Sequence, residues 1–193
     1  KYYKNLKLLE KNHVYSKEME HDACGVGLVA STEGKKSRQV VKYGIEALKA
    51  VWHRGAVDAD GKTGDGAGIH LEIPKDFFIE KVEVTGHKYD DCEICVGMIF
   101  LPRNDYDAQE SCKTIVESEL TKNNFNIFGW RQVPVNPKVL GVKAFQTMPE
   151  IIQVLFKSND QNLLNKKLER KIYETRRKIE NKALNLSLNN FYI

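Results

Sequence analysis

Glu20-His21-Asp22-Ala23-Cys24-Gly25-Val26-Gly27-Leu28 is the stretch on which the reading of this chain turns. Cys24 stands at the front edge of an apolar, β-prone run, Cys24 to Ala30, after some twenty mostly polar residues. A thiol there has two readings. It is either a buried cysteine of a first strand, or a nucleophile that becomes the amino terminus once residues 1–23 are removed. The second has a physical rationale. A free α-amino group has a pKa near 7.7, so it works as a general base close to neutrality. On the same residue as the thiol, it helps deprotonate the sulfur without a separate histidine.

Composition narrows the class. The chain has 193 residues, 41% hydrophobic and 29% charged, which suits a globular protein with one substantial core. No apolar run approaches the roughly 18 residues needed to cross a bilayer, so no membrane partner is expected. Lys1 to Lys11 alternates charge with Leu and Tyr and lacks the apolar centre of a secretory signal. The chain starts at Lys1 rather than Met and ends on Phe191-Tyr192-Ile193, which reads as the opening of a strand, so a fragment is expected.

Four cysteines, Cys24, Cys92, Cys95 and Cys112, raise a disulfide or metal reading. Cys92 and Cys95 form a C-x-x-C without a second pair, on a segment that reads as a strand. A strand sends residues three apart to opposite faces, which is poor geometry for chelation. Reduced structural thiols are expected and no metal site.

Net charge is +4, and Lys166 to Lys182 carries eight Lys or Arg against three Glu. Leu164, Leu168, Ile172, Thr175, Ile179 and Ala183 recur at helical spacing there. The basic residues then read as the solvated side of an amphipathic helix rather than a nucleic-acid groove.

Along the chain, strands are expected at Cys24 to Ala30, Ala67 to Ile73, Cys92 to Leu101, Phe125 to Val135 and around Ala144 to Phe156, with another opening at Asn190. Helices are expected from an N-cap at Ser37 through Trp52, over Ala108 to Leu120, and over Leu163 to Ala183. Val40, Val41, Ile45, Leu48 and Trp52 share one side of the first helix. Strand groups alternating with helices predict an α/β or α+β layered domain.

Two further motifs can carry chemistry. Thr63-Gly64-Asp65-Gly66-Ala67-Gly68 is followed by an expected strand, not a helix, and lacks the Lys-Ser/Thr pair, so it fits neither phosphate-binding loop. It reads as a tight glycine turn holding the Asp65 carboxylate. His53-Arg54-Gly55 is either a capping cluster at the negative end of the first helix, or a polar group near Cys24. In the latter case Arg54 lowers the thiol pKa, or His53 serves as its base.

His21-Asp22-Ala23-Cys24-Gly25-Val26-Gly27, Leu48-x-x-x-x-His53-Arg54-Gly55-Ala56 and Asp58-x-x-x-x-Thr63-Gly64-Asp65-Gly66-Ala67-Gly68-Ile69, in this order and spacing, resemble the amino-terminal glutaminase domain of glutamate synthase large (alpha) subunits. These are class II glutamine amidotransferases of the N-terminal-nucleophile hydrolase type. Gly129-Trp130-Arg131-Gln132-Val133-Pro134-Val135, Leu168-Glu-Arg170-Lys and Phe191-Tyr192-Ile193 extend the resemblance to the end of the chain.

The resemblance implies an α+β fold, a four-layer αββα sandwich incomplete at the C-terminus. It implies a propeptide over 1–23 and the amino-terminal part of the amidotransferase domain over 24–193. Cys24 would be nucleophile and, through its freed α-amine, base; Arg54 would support it. A γ-glutamyl thioester would form with release of ammonia, and water would free glutamate. An uncleaved Ala23-Cys24 peptide leaves an amide nitrogen that cannot act as base, so the unprocessed chain should be inactive. The oxyanion-hole Asn-Gly pair and the residues gripping glutamine would follow Ile193.

The partners implied are L-glutamine, a downstream synthase domain of the same chain that makes glutamate from 2-oxoglutarate, and a small electron-transfer subunit. FMN and an iron–sulfur cluster are implied for the longer protein, with none of their residues here. The location implied is cytoplasmic, or plastid in a photosynthetic eukaryote. Two rivals remain open: a class II amidotransferase with a different acceptor, and a non-catalytic α/β interaction module in which Cys24 is merely buried.

Overall fold

The computed structural model describes residues 2–12, 25–52, 55–160, 162–163 and 165–193. Cys24, His53 and Arg54 therefore lie outside the described residues, as does Leu164. The chain divides into two compact units, Lys1–Asp58 with Gly64–His70, and Ala59–Thr63 with Leu71–Ile193.

The first unit contains helices α1 (Tyr2–Lys11) and α2 (Arg38–Ala50). Ser37 caps α2 as expected: its backbone is extended and its hydroxyl accepts the Gln39 N–H at 3.1 Å. Val40, Val41, Ile45 and Leu48 are half-buried, whereas Trp52 is 72% exposed. The strands expected here do not form. Gly25 to Ala30 makes no ladder, leaving Val26 and Leu28 each 92% exposed, and 67–73 has no strand either. A strand exists only where its amides find a partner. Apolar, β-prone residues are insufficient without one.

The second unit is built on an antiparallel sheet of β1 (Cys95–Leu101), β2 (Phe125–Gln132) and β3 (Glu150–Ser158), in the order β1-β3-β2. The last strand in sequence is central, with Ile99 opposite Ile152 and Phe125 opposite Ser158. Alternation along β3 divides its side chains between two faces. Ile152, Val154 and Phe156 join Ile99 and Leu101 in a core closed by Cys112, Val116 and Leu120 of α4 (Tyr106–Lys122). Leu168, Ile179 and Ala183 of α6 (Asn165–Asn185) complete it. Leu155 faces the other way, against Phe78 and Val82 of α3 (Lys75–Val84). Helices and an antiparallel sheet make the fold α+β.

The sequence reading of α6 holds: Leu168, Thr175, Ile179 and Ala183 are buried, and Thr175 Oγ1 donates to the Lys171 carbonyl at 2.8 Å. Arg170 pairs with Glu174 and Arg176 with Glu180, both at 2.8 Å. Three expectations need correction. Helix α3 starts directly after Pro74 and was not expected; Asp76 in its first turn and the i, i+4 pair Phe78/Val82 were its signals. The single strand expected over Ala144 to Phe156 is helix α5 (Val142–Thr147) followed by β3. Pro149, which has no N–H to give a ladder, falls between them. Finally β2 stops at Gln132 rather than Val135, two residues before Pro134.

Strand β2 is also bulged between Ile127 and Gly129. Gly129 has φ +152° and lies against Thr85, whose Cγ2 would be 2.9 Å from an added Cβ, so only glycine suits the position. The opening of a strand expected at Asn190 is one antiparallel bridge. Phe100 N–H donates to Tyr192 O at 2.9 Å and Tyr192 N–H to Phe100 O at 3.0 Å. No helix among the described residues is long and apolar enough to cross a membrane.

Candidate functional site

Backbone and side-chain hydrogen bonds hold the chain that follows His53 and Arg54. Past the end of α2, Gly55 N–H donates to the Trp52 carbonyl at 3.0 Å. The next residue, Ala56, is held at both of its backbone polar groups. Its N–H donates to Asp65 Oδ2 at 2.9 Å, and its carbonyl accepts the Asp65 N–H at 3.3 Å. Val57 and Gly64 form an antiparallel bridge beside this pair. The Asp65 carboxylate is therefore committed to the backbone immediately after Arg54-Gly55. Sequence reasoning placed Asp65 on a rigid turn but did not find the amide it holds. The signal was its string lying a short loop after His53-Arg54-Gly55.

The tip of the same loop carries a second carboxylate that sequence reasoning passed over. Asp60 accepts the Thr63 hydroxyl at 2.6 Å, the Thr63 N–H at 2.7 Å and the Lys62 N–H at 2.9 Å. The Thr63 hydroxyl, its amide and the Lys62 amide, with the Val142 amide, hold the Asp60 carboxyl well below the usual carboxylate range. Thr63 Oγ1 also accepts the Ala144 N–H at 3.4 Å, so the turn seats the start of α5. An Asp three residues before a Thr is the local signal for such a turn.

Gly129-Trp130-Arg131 takes structural positions. Trp130 Nε1 donates to Glu117 Oε1 at 2.7 Å, tying β2 to α4. Arg131 donates to Gln153 Oε1 at 2.7 Å and lies over the Phe77 ring, 5.2 Å from its centroid. A concavity of about 420 Å³ opens between Arg103, Tyr106, Gln109, Lys113, Gln132 and Glu150.

Cys92, Cys95 and Cys112 are free thiols. Burial pushes Cys95 up to about 12 and Cys92 up to about 11, and raises Cys112 as well. These protonated sulfurs are poor nucleophiles and poor ligands. Among the described residues, no group of three or more His, Cys, Asp or Glu is arranged to hold a metal ion.

The family profile described as glutamine amidotransferases class-II matches residues 24–193. The chain belongs to the class-II glutamine amidotransferases. This amidotransferase chain is 50% identical over 189 residues to the NADPH glutamate synthase large chain of Azospirillum brasilense, covering 98% of this chain and 12% of the relative. It is 38% identical over 175 residues to the ferredoxin-dependent glutamate synthase of Pyropia yezoensis, covering 90% and 11%. With the NADPH glutamate synthase large chain of Bacillus subtilis it shares 33% over 168 residues, covering 87% and 11%. It thus spans only about a tenth of the length of these relatives. Of the two site residues named from sequence, Cys24 is the first position of the family match and Arg54 lies within it.

Proposed function

We propose that this chain is the glutamine-hydrolysing part of a glutamate synthase, working through Cys24 as an amino-terminal nucleophile after removal of residues 1–23. The observation that carries the reading is positional. The amidotransferase match begins at residue 24, and residue 24 is the cysteine. A family domain whose first residue is a thiol suits chemistry in which one backbone position supplies both sulfur and amine.

The Cys24 thiolate attacks the side-chain amide carbon of glutamine, and its α-amine carries the thiol proton to the leaving nitrogen. The C–N bond breaks, ammonia departs and a γ-glutamyl thioester remains. Water, deprotonated by the same amine, releases glutamate and restores the thiol. Arg54, a permanent cation, favours the thiolate. With the Ala23–Cys24 peptide intact the nitrogen is an amide and has no proton-accepting lone pair, so the precursor is inactive.

On the same proposal, the ammonia passes to a synthase domain of the longer polypeptide, where 2-oxoglutarate becomes glutamate. A small electron-transfer subunit is a further partner, and the location is the cytoplasm, or the plastid of a photosynthetic eukaryote. FMN and the iron–sulfur cluster belong to parts of that protein outside this domain. The described thiols do not fit a cluster, because Cys95 and Cys112 are buried in the apolar core. The four-layer αββα sandwich belongs to the proposal too. Its support is the class-II amidotransferase match over residues 24–193.

Cys24→Ala in the full-length protein tests the reading. Glutamine-dependent glutamate formation should vanish while formation from added ammonia persists. Equal loss of both activities overturns it.

A further inference from the structure

We propose that the concavity at the end of the β1-β3-β2 sheet binds the zwitterion of a polar α-amino acid, with Arg103 receiving its carboxylate and Glu150 its ammonium. The register of the sheet brings these two residues to one end. Leu101, the last residue of β1, lies opposite Glu150, the first of β3, and Arg103 follows two positions later. The concavity that both line, of about 420 Å³, falls within the size range of small-molecule sites. Every residue lining it belongs to the second unit.

Each charge is held by a neutral partner and left without a countercharge. The Arg103 guanidinium lies over the Phe145 ring, 4.7 Å from its centroid, and no described acceptor takes its side-chain N–H donors. Its backbone is fixed as well: the buried Gln109 amide nitrogen donates to the Pro102 carbonyl at 2.7 Å and to the Arg103 carbonyl at 3.2 Å. Glu150 Oε1 accepts the Gln132 amide, and no described group donates to its other oxygen. Lys113, the other cation here, pairs with Glu110 at 2.8 Å, whereas among the described residues neither Arg103 nor Glu150 forms an ion pair.

A guanidinium with free donors suits a planar carboxylate. A carboxylate with a free oxygen suits an ammonium. Both side chains are half-buried, and each opposes a guest that carries only its own sign of charge. A molecule bearing both charges satisfies the two residues together. Asn104, Tyr106 and Gln132 make the rim polar, which favours a short polar side chain.

Titration calorimetry of the full-length protein uses three probes: L-serine, 3-hydroxypropanoate, which lacks the ammonium, and ethanolamine, which lacks the carboxylate. L-Serine should bind saturably at millimolar concentration, and each half-molecule about 10- to 100-fold more weakly. Arg103→Met keeps an apolar stem against Phe145 and removes the donors, so it should weaken L-serine by about 10- to 100-fold. Glu150→Gln keeps an oxygen acceptor for Gln132 and removes the charge, with a similar loss for L-serine. The same variant should hold 3-hydroxypropanoate at least as well as the parent does, because that molecule offers Glu150 nothing to bind. Should either variant fail to fold, R103Q and E150A carry the same expectations for L-serine.

Absence of saturable L-serine binding overturns the assignment. So does a half-molecule that binds as tightly as L-serine, which would mark a site for a single charge. Unchanged L-serine affinity in either variant also overturns it, because binding would then lie elsewhere in the longer protein or use only one of the two residues.

Discussion

The Thr63 hydroxyl donates to the Asp60 carboxylate at 2.6 Å, and this pair fills the space in front of Gly141. A methyl group on Gly141 would sit 2.2 Å from Thr63 Oγ1, 2.4 Å from Asp60 Oδ2 and 2.5 Å from the Thr63 nitrogen. The turn and the start of α5 are packed backbone to side chain with no spare volume.

Gly141→Ala should therefore destabilise the fold by about 1–3 kcal/mol, the usual cost of overpacking a tight contact. Urea unfolding measures it. A midpoint within error of the parent would mean that the turn yields without resistance.

Asp60 should make stability acid-sensitive. Its folded pKa is depressed, chiefly by the Thr63 hydroxyl. Its contribution is complete above the unfolded value near 3.9 and is lost as pH falls through the folded value. Thermal melts of the parent and Asp60→Asn should differ at pH 7 and converge towards pH 2. A gap that widens in acid would contradict this assignment.

Glu119 pairs with Lys182 of α6, and Lys122 lies 3.6 Å away. The Glu119 side chain is only 7% exposed, and the Lys182 ammonium holds its carboxyl below the ordinary value. Lys182→Met should cost about 1–3 kcal/mol, because it leaves a buried carboxylate short of a donor. Glu119→Gln added to it should recover part of the loss. Urea midpoints of the single and double variants decide, and a double variant weaker than the sum of the singles would exclude the pair.

Native alkylation at pH 8 should spare Cys92 and Cys95, whose thiols burial pushes up to about 11 and about 12. Only unfolding should open them to iodoacetamide, read by intact mass and peptide mapping. Rapid native labelling of Cys95 would show that the β1 core opens locally.

Periodicity made most of the second unit legible. Helix α6 announced its buried stripe through Leu168, Thr175, Ile179 and Ala183, and β1 announced itself through an unbroken apolar run. The same logic misled at Ala144, where a helical turn precedes the strand, and overlooked α3, which is only ten residues long. It failed most plainly over Gly25 to Ala30, where the residues favour a strand and, among the described residues, no partner strand meets them.

The site divides in the same way. The residues proposed to carry chemistry, Cys24 and Arg54, were read from the order of the strings around them, because reactivity belongs to side-chain type and local sequence. What Asp65 and Asp60 do was not written there. Asp65 reaches back nine residues to one amide, and Thr63 meets Ala144 across 81 residues. Hydrogen bonds of that kind depend on where folding brings two distant backbones together. Side-chain chemistry and helical period belong to the chain itself, whereas the partner of each carboxylate and the pairing of each strand belong to the tertiary structure.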